Sequence, residues 1–156
     1  MTTQPKQYHH ILLPVDFSPC SRHAQEYAAD FAARYNADLH LLYVVEPLAA
    51  FTAADGVEQS VYFDVMQRLR EQSTVLMQES QRELESLGLK VSAQIREGRP
   101  ADVITEYASQ NKIDLICMST HGRSGLNHVL LGSTTEHVLR RSHCPVFVVR
   151  CEAKKK

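Results

Sequence analysis

A chain of 156 residues has the length of one ordinary domain, and such a domain hides roughly two thirds of the surface its unfolded chain would expose. Hydrophobic residues at 44% and charged residues at 22% are normal for a globular protein, and a net charge of −1 supplies no broad attraction to nucleic acid. No secretory leader is recognisable and no apolar run approaches the roughly 20 residues a membrane-spanning helix needs, so a cytoplasmic protein with no membrane partner is expected.

In chain order, the apolar run His10–Val15 reads as a first buried strand. Ser18 then offers an N-cap, with Pro19 at the favoured first helical position. Ala24, Tyr27, Ala28, Phe31, Ala32 and Tyr35 recur at helical spacing as one apolar face, and Asn36 marks its end. Leu39–Val45 is almost continuously apolar, as a strand covered on both faces should be. Residues 46–58, with Pro47 and Gly56, break the regularity and read as a mobile surface connection. A long helix follows over Gln59–Leu87, with Val61, Val65, Leu69, Leu76, Ser80, Leu84 and Leu87 on its apolar face and Gly88 as its stop.

Lys90–Arg96 alternates apolar and polar residues, which places it near a sheet edge with one wet face. Gly98 and Pro100 mark a turn into a short helix carrying Val103, Ile104, Tyr107 and Ala108. Asp114–Met118 and Pro145–Val149 are two more apolar strands, with a helix over Thr134–Arg141 between them. Alternating β and α elements imply parallel strands joined by right-handed crossovers. The chain reads as one domain with a core at about 8–151 and a basic tail at 152–156 that frays into solvent.

The loop after the fourth strand carries the most chemistry. Gly122 and Gly125 allow tight turns, and Gly132 stands immediately before Ser133. Ser133 with Glu136 has the spacing of a capping box. Unpaired amides at such a helix start favour an anion. Glycine-rich connections and Ser-x-x-Glu caps also occur with no ligand at all. The loop is neither a P-loop, since no Gly-Lys-Ser/Thr follows, nor a dinucleotide fingerprint, since Asp16-Phe-Ser-Pro follows the first strand. If the first and fourth strands are neighbours, the sheet order reverses between them and opens a crevice flanked by Asp16. There Asp16 either meets a ribose, reaches a metal through water, or caps its own turn.

The segments ILLPVDFS, LLYVVEP, STHGRSG, LLGS and CPVFVVR together resemble the universal stress protein family over nearly the whole chain. The resemblance implies a five-stranded parallel α/β sheet of order 3-2-1-4-5, a Rossmann-like fold with helices on both faces, and a homodimer through the last strand, 145–149. The nucleotide-binding branch of that family carries G-x-x-G, nine residues, then G-[ST]. Gly122, Gly132 and Ser133 satisfy the latter part, whereas Ser119 stands at the first glycine position and forfeits that glycine's freedom at positive φ. By the same resemblance Pro14, Asp16 and Val44 line the adenine and ribose side, and His121, Gly122, Arg123, Gly125, Gly132, Ser133 and Thr134 surround the phosphates. Arg123 either folds over a phosphate or points into water.

The implied ligand is AMP or ATP, with Mg²⁺ accompanying ATP and no metal site of the protein's own beyond Asp16. No catalytic carboxylate is evident, so binding without efficient turnover is expected, with slow ATP hydrolysis as one alternative. A stress-responsive adaptor that needs no nucleotide is the other. The four cysteines, at 20, 117, 144 and 151, are too scattered for a zinc knuckle. Cys117 reads as inert packing, and Cys20 as a mildly reactive thiol near the ligand mouth.

Overall fold

The computed structural model describes residues 5–47, 59–120 and 131–150. Its elements are β1 (His10–Val15), α1 (Pro19–Tyr35), β2 (Asp38–Val45), α2 (Gln59–Ser86), β3 (Val91–Glu97), α3 (Pro100–Gln110), β4 (Leu115–Ser119), α4 (Ser133–Arg141) and β5 (Val146–Val149). The five strands form one open parallel sheet in the order β3-β2-β1-β4-β5, a Rossmann-like α/β arrangement. The expected connection falls largely outside the described residues at 48–58, as does the basic tail.

Alternation along β1 divides the core. Ile11, Leu13 and Val15 join Ala24, Ala28 and Ala32 of α1 and Met77 and Leu84 of α2 on one face. Leu12 joins Ile104, Tyr107 and Ala108 of α3 and Val138 of α4 on the other. Both faces of the central strands are therefore apolar, which is why β1, β2 and β4 read as continuous hydrophobic runs. β3 and β5 are the edges, and β3 shows the alternating burial its sequence implied.

Helix ends follow local chemistry. Ser18 caps α1 by accepting from Ser21 N–H, Pro19 occupies the first turn, and Asn36 closes the helix at φ 51°. The six-residue face expected for α1 is divided. The alanines form the buried stripe, so the helix lies close on the sheet, while Tyr27 and Phe31 flank it and reach Phe147 of β5, with ring centroids 5.7 and 5.0 Å apart. The apolar face expected for α2 also needs correction. Leu84 is buried as expected, but Val61 and Leu87 are 46% and 66% exposed, and Ser73 and Met77, outside the expected face, are buried. Ser73 tolerates burial because its hydroxyl donates to Leu69 O at 2.6 Å.

Three strands begin one residue later than the apolar runs suggest, at Val91, Leu115 and Val146. Asp114 precedes the ladder and ties the entry of β4 to that of β1 twice over: its N–H donates to His10 O at 3.0 Å, and its carboxylate accepts the N–H groups of His9 and His10 at 2.7 and 3.2 Å.

Candidate functional site

The sheet order reverses between β1 and β4, and there the two strands part. β1 stays paired with β2 as far as Val15↔Tyr43, but its pairing with β4 ends at Leu12↔Ile116. Pro14, two residues on, brings no N–H that would extend a ladder. The crevice beyond is a cleft of about 590 Å³, within the range of small-ligand sites. Seven of the expected residues line it: Pro14, Asp16, Val44, Ser119, Gly132, Ser133 and Thr134. His121, Gly122, Arg123 and Gly125 lie outside the described residues. Sequence reasoning missed Glu46, Leu69, Met118 and Thr135, which also line the cleft. Leu69 and Met118 carry only a core signal in the sequence, and nothing there distinguishes Thr135 from its neighbours.

On the β1 side the chain ties a small polar knot. Asp16 Oδ1 accepts from Ser18 N–H at 3.0 Å and from Ser18 Oγ–H at 2.6 Å. Ser18 Oγ in turn accepts from Ser21 N–H, and Asp16 N–H donates to Ser21 Oγ at 3.3 Å. Through Oδ1 the carboxylate thus caps its own turn, one of the roles open to it in the sequence, at the wall of the cleft. Between Asp16 and Ser18, Phe17 holds φ 61°, a left-handed conformation that costs a bulky residue of order 1–3 kcal/mol. Its ring lies against Tyr43, centroids 5.0 Å apart, which helps hold the turn.

On the α4 side one expectation is overturned. Gly132, not Ser133, is the N-cap, and no side chain caps this helix. Ser133 is already the first helical residue, and Glu136 pairs with Arg140 at 2.9 Å and not with the helix start. With Glu136 N–H the first to bond inside the helix, to Gly132 O, the amides of Gly132, Ser133, Thr134 and Thr135 precede the helical ladder. Gly132 N–H donates instead to Thr120 O at 2.8 Å. The first-turn amides left for a ligand are those of Ser133, Thr134 and Thr135, at the positive end of the helix dipole. Ser119 ends β4 in extended backbone, so the glycine freedom lost at this position is not called on.

A second hollow, at Arg96, Glu97, Val103, Glu106, Tyr107 and Gln110, measures about 70 Å³ and is too small for a nucleotide. Among the described residues no three His, Cys, Asp or Glu side chains group as metal ligands, and no helix is long and apolar enough to cross a membrane. Burial pushes the Cys117 thiol up to about 12, in keeping with a packing role. Cys20 is disulfide-bonded, which corrects the expectation of a reactive thiol at the mouth.

A parallel sheet with a switch-point cleft, edged by unpaired helix amides and by a carboxylate, defines a Rossmann-like domain of the ligand-binding type. The chain belongs to the universal stress protein family, whose model matches residues 7–150. Universal stress protein MJ0531 of Methanocaldococcus jannaschii is 34% identical over 145 residues, covering 92% of this chain and 82% of that protein. The solved structure of MJ0577 aligns with a TM-score of 0.84 at 30% identity, over 96% of this chain and 100% of that one. A family protein from Arabidopsis thaliana, solved with AMP bound, shares the fold at 17% identity with a TM-score of 0.63, over 94% of each chain.

Proposed function

We propose that this chain binds an adenine nucleotide, AMP or ATP, in the cleft between β1 and β4, and acts as a regulatory stress-response dimer without efficient turnover. The observation that carries the reading is the meeting of three first-turn amides of α4, unbonded among the described residues, with Asp16 around one cleft of about 590 Å³. Amides and helix dipole suit the phosphates, Asp16 the ribose, and Pro14, Val44 and Met118 a flat apolar base. His121, Gly122, Arg123 and Gly125 would complete the phosphate end. The Arabidopsis relative supports the fold's capacity for AMP.

The chain's own residues do binding work: they hold phosphate charge, orient the ribose and exclude water from the base. No described carboxylate is placed as an evident base for water, and Asp16 Oδ1 already accepts from Ser18. Magnesium would arrive with ATP, held by its phosphates. Calorimetry with AMP, ATP and Mg-ATP tests the proposal, with inorganic phosphate as control. Micromolar binding of a nucleotide with no comparable phosphate signal is the expected result. Absence of heat and of any thermal shift at millimolar AMP and ATP would leave the nucleotide-independent adaptor as the function.

β5 is the natural place for the second copy. It is a sheet edge, and beside it Phe147 and Tyr27 are 36% and 41% exposed and in contact with each other. Sedimentation of the wild type and of Phe147→Glu tests this: a dimer that the charge dissociates is expected, and a wild-type monomer refutes it.

A further inference from the structure

We propose that Thr135 is the positioning residue of the phosphate end of this cleft, fixing the free amides of α4 relative to β4 before any ligand arrives. The inference rests on the nucleotide reading above and deepens it. Thr135 is the third residue of α4 and, among the described residues, one of few buried polar side chains, at 3% exposure. Its hydroxyl does not serve its own helix. It donates to Ser119 O at the end of β4, 16 residues earlier, at 2.9 Å.

A second rung lies beside it, Gly132 N–H donating to Thr120 O at 2.8 Å. A third holds the same strand end from the far side, Thr120 N–H donating to Val149 O at 2.9 Å. The ends of β4 and β5 and the first turn of α4 are thus tied through two consecutive residues, Ser119 and Thr120. Of the rungs, only the one from Thr135 depends on a side chain, so it is the one the sequence can lose.

Two consequences follow from this geometry. Gly132 and Thr135 are bonded directly to Thr120 and Ser119, so the amides of Ser133, Thr134 and Thr135 are presented at a set distance from β4. Ordering that would otherwise oppose binding is then already done in the free protein. Position 119 meets this clamp with its backbone carbonyl in extended conformation, which a serine supplies as well as a glycine.

The test is calorimetry of full-length wild type, Thr135→Val and Thr135→Ser against adenosine, AMP and ATP. Valine keeps the shape and removes the hydroxyl. Its AMP and ATP affinities should fall roughly three- to tenfold, the worth of one buried hydrogen bond, with adenosine affinity unchanged. Serine restores the donor and should return both to within about twofold of wild type. Equal AMP and ATP affinities in valine variant and wild type overturn the assignment. So does an equal loss for adenosine, which marks a merely structural residue, or a serine variant as weak as valine. Should the valine variant fail to fold, the serine variant against a Thr135→Ala variant gives the same contrast. Wild-type protein that takes up none of the three ligands refutes the nucleotide reading itself, and this assignment with it.

Discussion

Replacing Ser18 by alanine removes two bonds through one oxygen. Its hydroxyl donates to Asp16 Oδ1 at 2.6 Å and accepts from Ser21 N–H at 3.2 Å. Loss of the N-cap costs about 1 kcal/mol. Loss of the bond to the carboxylate adds about 1 kcal/mol, below the usual range for charged partners because Asp16 is only half buried and water can replace the hydroxyl. The sum, about 2 kcal/mol, moves the urea midpoint by about 1 M for a slope near 2 kcal/mol/M. A shift below about 0.3 M would refute the reasoning. A cycle with Asp16→Ala separates the two losses, since only the second depends on the carboxylate. The expected coupling is about 1 kcal/mol, and a value under about 0.3 kcal/mol would show that Asp16 is not held by Ser18 in solution.

Three further outcomes are expected. His40 donates to or accepts from Tyr107 Oη at 3.1 Å and packs edge-on against His10; burial, then the His10 charge, lowers its pKa below 6.5, against an opposing Asp38. The folded state then holds fewer protons than the unfolded chain just below pH 6.5, so this group's share of stability is complete above 6.5 and lost as pH falls through the folded pKa. Urea midpoints should drop on acidification through that window, and His40→Gln should flatten the drop; an unchanged slope contradicts the assignment. Gly98 sits at φ +142°, and an added Cβ would lie 2.8 Å from Val103 Cγ2. Gly98→Ala should therefore destabilise by about 2–3 kcal/mol, and a melting temperature within a degree of wild type would disprove it. In folded, non-reduced protein, iodoacetamide followed by peptide mapping should label neither Cys20, which is disulfide-bonded, nor Cys117, which is buried. Labelled Cys20 in that sample would mean the bond is absent.

The amino-acid sequence by itself determined the elements and their kind. Periodicity and punctuation are local properties: Pro19 and Asn36 bound α1, Gly88 follows α2, and continuous apolar runs mark the strands covered on both faces. Much of the cleft was legible too: Asp16, Gly132 and Ser133 sit where a strand hands over to a helix, and the resemblance to the family added Pro14, Val44 and Thr134. The tertiary structure decided the rest. Ser133 and Glu136 carry capping-box spacing, yet Gly132 takes the cap because its amide bonds Thr120 and sets the helix start one residue earlier. The buried face of α2 runs through Ser73 and Met77, because the sheet beneath it, and not the helix's own hydrophobicity, selects which side is covered. Thr135 has no sequence signal, since its partner lies 16 residues away at the end of β4. Local chemistry fixes how a segment folds, but a bond between distant segments exists only once the sheet has brought them together.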